Sequence, residues 1–381
     1  MTQPLRLPKI QFDAPITDMI LELEKLRYKV LQGTTNPIVF VQIKSIFQML
    51  ESIGSSRIEG NNTTIIDYVE TTKIQHIEPH SIHENILEIE NIEIATKYIE
   101  ENINDIPISL MFVRELHQLV VEGLNYKREG ALHQGTFRES NVRIGGSAHT
   151  PPDYTQVELL MQELIDFINV PTSPKYDLLK IAIAHHRFVW IHPFENGNGR
   201  VVRLFTYALL LKYIFNSRER IINPTAIFCS DRDAYYHYLS EADKGTDEGL
   251  IEWSEYMLAG LKNEIEKIDH LMDYEYLKNN ILLPAIQDAI DNKYILPMEY
   301  DVLKKTIELQ EVQSKDLTKA MGGASDTKRS LIIKSLLGKK MLLQTPYNKH
   351  RYVINFSNNY LLRSILRMLD TNGFLPTNSA K

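Results

Sequence analysis

The chain has 381 residues, room for two or three domains with buried cores, and its 43% hydrophobic and 24% charged content is that of a soluble globular protein. A net charge of −7 argues against binding nucleic acid with the whole surface, and a single cysteine, Cys229, rules out an internal disulfide and reads as a small buried apolar residue. No run is long enough to span a bilayer and no secretory signal stands at the start, so the sequence predicts a cytoplasmic chain that keeps off membranes.

Residues 1–12 carry prolines and read as an extended arm. Helical periodicity dominates from Thr17 to Ile99, and a further amphipathic helix runs from Ile108 to Leu124. The stretch from Glu129 to Asp153 is rich in glycine and turn residues, and Asn141-Val142-Arg143-Ile144 before Gly145-Gly146 predicts a β-hairpin. Helices are then expected over Thr155–Val170 and Tyr176–Ile191, the second ending at His192-Pro193, because proline disfavours helical geometry in the residue before it. Three more follow: one opening near Asn198, one over 231–239 and one from Leu250 to Met272. Pro284 and Pro297 bracket a linker helix. The last pattern is helix (Val302–Leu309), helix (Ser314–Met321), a Gly322-Gly323 turn, helix (Asp326–Leu337) and a hairpin of Met341–Gln344 with Arg351–Asn355.

The chemistry concentrates in His192-Pro193-Phe194-Glu195-Asn196-Gly197-Asn198-Gly199-Arg200-Val201-Val202-Arg203. His192 can take a proton near neutral pH. Gly197 and Gly199 let backbone N–H groups close round phosphate oxygens, and the helix that begins there turns its positive end toward the same anion. Arg200 and Arg203 lie three apart on the first turn, where guanidinium contacts to phosphate are expected. No Gly-x-x-x-x-Gly-Lys-Ser/Thr run occurs, which argues against a P-loop. His185 and His186, with His192, lack a fitting carboxylate partner and make a poor metal site, and His185 reads as a satisfied core residue.

The pattern His-x-Phe-x-x-Gly-Asn-Gly-Arg-x-x-Arg resembles the Fic family of nucleotidyl transferases. The resemblance implies a mainly α fold: an N-terminal helical domain (1–105), a Fic core with a β-hairpin flap (106–275), a linker helix (276–298), a winged helix-turn-helix (299–360) and a tail (361–381). It implies protein adenylyl transfer, AMP passing from ATP to a Tyr, Ser or Thr hydroxyl with His192 as general base. The triphosphate would lie on Gly197, Asn198, Gly199, Arg200, Val201, Val202 and Arg203, with Tyr235 and Asp243 at the base and ribose. Phe194 would pack beneath the loop, and Tyr236 and Tyr238 would be packing residues. Mg²⁺ or Mn²⁺ is implied, yet Asn196 stands where the family usually has an acid, so metal affinity should be weak. Ile144, Gly145, Gly146 and Ser147 match the flap that clamps a target protein by strand addition. Ser55-Ser56-Arg57-Ile58-Glu59-Gly60 fits the inhibitory signature Ser/Thr-x-x-x-Glu-Gly/Asn, in which Ser55, Glu59 and Gly60 set a carboxylate against Arg203 beside the nucleotide. A homodimer is implied by resemblance alone.

The segment 300–356 resembles a winged helix-turn-helix, and its eleven Lys and Arg against five Asp and Glu suit DNA, with Lys328 and Arg329 opening the recognition helix. Rival readings are another Fic transfer (UMP, phosphate or phosphocholine), removal of AMP, or a transcriptional regulator whose core senses ATP. Gly199 argues against the phosphate-transferring branch, which carries Lys there.

Overall fold

The computed structural model describes residues 5–28, 34–74, 83–145, 148–215, 221–357 and 359–375. The chain is mainly helical and divides into two compact units, residues 1–30, 51–63 and 82–266 in one and 31–50, 64–81 and 267–381 in the other. Helices α2 (Pro37–Ile58) and α11 (Asp247–Asp269) have residues in both. Among the described residues no helix is long and apolar enough to cross a membrane.

The first unit holds α1 (Pro15–Tyr28), α4 (Glu84–Asn102), α5 (Leu110–Val121), α6 (Val157–Asn169), α7 (Asp177–Ile191), α8 (Asn198–Tyr213), α9 (Thr225–Ser230) and α10 (Arg232–Ala242). On α6, Val157, Leu160, Met161, Leu164, Ile165 and Ile168 are buried, the spacing of one apolar helix face. Helices α7 and α8 are buried nearly all round, so the turn between them lies at the heart of this unit. Residues 5–11 lie outside helix and strand, and Arg6 pairs with Asp247.

The segment 129–153 does not form the predicted hairpin; no strand is present among its described residues. Side chains meet its backbone instead. Arg138 donates to the Ser140 and Pro152 carbonyls, and Asn141 accepts from the Tyr154 N–H at 2.9 Å, so no opposing strand supplies the partners.

The second unit contains α3 (Ile65–Tyr68), α12 (Tyr274–Leu277), α13 (Leu283–Asp291), α14 (Pro297–Leu309), α15 (Asp326–Gly338), the antiparallel strands β1 (Leu342–Thr345) and β2 (Asn348–Ile354), and α16 (Leu361–Thr371). Leu342 faces Ile354 and Gln344 faces Tyr352 in the hairpin, and Val312 adds one bridge to Tyr352. Element order follows the sequence, with one contraction. The helix expected over 314–321 is only a 3₁₀ turn, Ser314–Leu317, closed by Gly322 and Gly323 at φ of 61° and 77°. Residues 361–371, taken as tail, form α16, because Leu361, Leu362, Ile365, Leu366 and Leu369 share one buried face.

Candidate active site

The end of α7 places His192. Its N–H makes the last helical bond, to the Phe188 carbonyl at 3.0 Å, and it then turns left-handed at φ 50° and ψ 63° before Pro193. Burial lowers the imidazole to about 4, with the Arg138 guanidinium adding to the effect and the Val189 carbonyl and Glu59 opposing it. His192 is therefore neutral at pH 7 and free to accept a proton.

The loop that follows is braced from within. Asn198 accepts the Phe194 N–H at 2.9 Å and donates to the Phe194 carbonyl at 2.8 Å. Phe194 is buried and stacks on His117 with ring centroids 3.8 Å apart. His117 Nδ1 accepts the Gly135 N–H, so Nε2 carries the hydrogen donated to the Asn196 carbonyl at 3.2 Å. Gly197 caps α8 at φ 77°, where a Cβ would lie 3.1 Å from Val121 Cγ1, so only glycine suits. Helix geometry leaves the N–H groups of Asn198, Gly199 and Arg200 without intrahelical acceptors, an anion cradle at the positive helix end.

A carboxylate already lies there. Arg203, 2% exposed, donates from Nη2 to Glu59 Oε1 at 2.6 Å, from Nε to Ser55 Oγ at 2.8 Å and from Nη2 to the Ser55 carbonyl at 2.9 Å. A Cβ on Gly199 would fall 2.0 Å from Glu59 Oε1, so the carboxylate rests directly on the missing side chain. Burial pushes Glu59 up, but Arg203, with Arg200 and Arg232, holds it below the ordinary carboxylate range. The expected Ser55, Glu59, Gly199 and Arg203 thus come together. Gly60 is a turn glycine at φ 103° that ends α2.

Other expected ligand residues are engaged elsewhere. Arg200 is fully buried between Glu129 Oε2 at 3.1 Å and Glu88 Oε1 at 3.4 Å, an ion pair that holds its guanidinium beside the first turn of α8. The Asn198 side chain is the loop brace. Val201 and Val202 are core residues, and the Val201 N–H is taken by the Gly197 carbonyl. Tyr235 is buried and shares a 2.9 Å hydrogen bond with His185, whose other nitrogen meets Thr206 at 2.8 Å. Because the Thr206 hydroxyl donates to the Val202 carbonyl, His185 Nδ1 is the donor and Tyr235 donates its proton to Nε2. His185 is thus the core histidine expected. Tyr236 was expected to pack but is 45% exposed, near Arg232, while Tyr238 stacks on Tyr256. Asp243 accepts from His186 at 2.8 Å. Ile144 and Gly145 lie in the irregular loop; Gly146 and Ser147 fall outside the described residues.

The metal expectation meets a mismatch. Asn196 Oδ1 accepts the Gly197 N–H at 2.7 Å, and its nitrogen donates to the Gly130 carbonyl at 3.3 Å and to that of Arg128. Turning the amide toward an ion breaks all three bonds. Among the described residues no cluster of His, Cys, Asp and Glu is arranged to hold a metal. The residues present do not fit a protein-held Mg²⁺ or Mn²⁺.

Sequence reasoning missed Arg138, His117, Glu88 and Glu129. His117 and Glu88 left a local signal, each a polar residue on the buried face of its helix, beside Leu116 and Val120 on α5 and beside Ile89 and Ile92 on α4. Arg138 sits in a loop without periodicity, and its partners are carbonyls that carry no sequence trace.

Comparison with known proteins follows the same segment. Residues 107–210 match the Fic/DOC family. The chain is 32% identical over 193 residues to the protein adenylyltransferase Fic of Drosophila willistoni, covering 49% of this chain and 35% of that protein. It thus spans about a third of the length of the curated relatives it matches. A Fic family protein from Desulfovibrio desulfuricans G20 superposes with a TM-score of 0.55 at 20% identity, covering 92% of this chain and 98% of that one. A Fic-domain signalling protein from Bacteroides thetaiotaomicron gives 0.54 at 19% identity, over 67% and 97%. These two likenesses concern the fold alone. Joined to the family match and to the His192, Gly197 and Arg203 arrangement, they identify residues 107–210 as a Fic/DOC-family domain.

Proposed function

We propose that this protein transfers AMP from ATP to a Tyr, Ser or Thr hydroxyl of a target protein and of itself, and that Glu59 holds it in check. The observation that carries the reading is the Glu59 carboxylate resting on Gly199 and paired with Arg203, an anion in a cradle built for anions. In the active arrangement the triphosphate takes that place, with Arg203 on its far end. The target hydroxyl oxygen bonds to the α-phosphorus while the bond to the pyrophosphate oxygen breaks. His192, neutral at pH 7, takes the hydroxyl proton, and pyrophosphate leaves. The helix N-terminus and Arg203 offset the charge that spreads over the phosphate oxygens. The target segment would dock beside Ile144 and Gly145, the described residues that match the family's flap.

The test is incubation with α-labelled ATP. Glu59→Gly should raise self-labelling at least about tenfold, the scale expected when a charged pair that blocks the substrate is removed. Arg203→Ala in the same background should abolish the gain. Unchanged or lower labelling in Glu59→Gly refutes the inhibitory role.

A further inference from the structure

One buried cation of this unit is engaged by main chain on every side. Arg138 is 3% exposed. Its Nε donates to the His192 carbonyl at 2.9 Å and Nη1 to that of Ser140 at 3.0 Å. Nη2 donates to the carbonyls of Pro152 at 2.5 Å and Ile191 at 3.4 Å. The Arg138 N–H donates to the Pro193 carbonyl at 2.9 Å, and the neighbouring Phe137 ring packs on Phe194. Two of the carbonyls bracket the loop 141–151; the other two belong to the turn that carries the imidazole. That turn needs support, since His192 holds a left-handed conformation that non-glycine residues keep only where the surroundings fix it.

We infer that Arg138 is a positioning residue for AMP transfer: its guanidinium fastens the loop that receives the target to the turn that presents the base, so the two move as one piece. This rests on the transfer reading above. Only a planar fork with five donors spans carbonyls on both sides; lysine offers three donors from a single point. The guanidinium also acts through charge. The groups facing His192 are Arg138 and His149, which disfavour the imidazolium, and Glu59 and the Val189 carbonyl, which favour it.

Two variants of the full chain in the Glu59→Gly background separate fork from charge. Arg138→Lys keeps the charge and loses the span; Arg138→Met loses both. Hydrogen exchange should rise together in 139–145, 148–153 and 190–196 for both variants, while α6 stays protected. The transfer kcat should fall about 100-fold with the KM for ATP within about threefold, as for a misplaced base beside an intact nucleotide site. The His192 resonance should titrate higher by on the order of one pH unit in Arg138→Met and stay in place in Arg138→Lys. Exchange that rises on one side only, or a loss confined to KM, overturns the inference. If Arg138→Met does not fold, Arg138→Lys decides by exchange alone. If Glu59→Gly itself labels nothing, the transfer reading fails, and exchange with the His192 titration still shows whether Arg138 ties the two segments.

Discussion

Neutral His192 and charged Glu59 stand on opposite sides of one physical effect, burial beside fixed charges. The imidazole loses its proton because desolvation and Arg138 both disfavour the cation. The carboxylate keeps its charge because Arg203 outweighs its desolvation. A base at about 4 is weak but almost wholly unprotonated across the physiological range. Transfer by Glu59→Gly should therefore hold within about twofold from pH 5.5 to 8, with an acid limb at or below about 4, because loss of the Glu59 charge lowers the imidazole further, where an ordinary histidine would give 6.5. A limb near 6.5 in the kcat/KM profile would contradict the burial argument. His192→Ala should remove transfer and leave ATP affinity within a few-fold, since the cradle is backbone and Arg203. Calorimetry of ATP binding, beside the labelling assay, checks both halves.

Helix α15 shows how an element's outer face differs from its composition. Arg329 and Lys328 are neighbours in sequence, yet Arg329 is buried, donating to the Ala324 carbonyl and pairing with Asp326. The exposed face comprises Thr327, Lys328, Ser330, Leu331 and Lys334, and the hairpin beyond exposes Tyr347, Lys349 and His350. A duplex-binding role for this face is a proposal with a sharp division of labour. Lys328→Ala and Lys334→Ala should each weaken binding of double-stranded DNA and flatten its salt dependence by about one unit of slope. Arg329→Ala should instead lower the unfolding temperature, because it removes a buried hydrogen-bonded charge. Titrations at several salt concentrations decide; binding that is undetectable or indifferent to salt removes nucleic acid as a partner of this face.

Buried titratable groups also set the pH dependence of the whole molecule. His117 and His192 are lowered to about 4 by burial, and His185, fully buried, lies well below 6.5. Below 6.5 the unfolded chain binds these protons and the native one does not, so stability falls as pH drops. Glu51 works the other way: burial raises it to about 8, so the native state keeps a proton that the unfolded chain gives up above 4.5, and stability falls as pH rises between those values. Three histidines outweigh the one carboxyl on the acid side, so stability declines toward low pH. Unfolding temperature should peak near pH 6.5 to 7, and Glu51→Gln should flatten the alkaline side. A peak that stays put with an unchanged alkaline slope in that variant would show that Glu51 is ionised in the fold.

Periodicity made α6, α7 and the hairpin of β1 and β2 legible in advance, because each buries one continuous pattern. The flap hairpin failed since alternation over four residues is too short to reveal that Arg138 and Asn141 answer the backbone. The His192–Arg203 motif was legible as the place of an anion cradle, not as a division of roles among its arginines. Local spacing cannot tell that Arg200 meets Glu88 and Glu129 while Arg203, three residues on, meets Glu59.

Glycine at 199 serves two occupants with one absent methyl group. Any side chain there that evicts the Glu59 carboxylate also fills the place of a phosphate, so the cradle cannot be freed by altering the cradle. On the proposed reading, a genetic selection for hyperactive variants should yield changes at Ser55 and Glu59 and leave 197–203 untouched, so that restraint is released only from the α2 side.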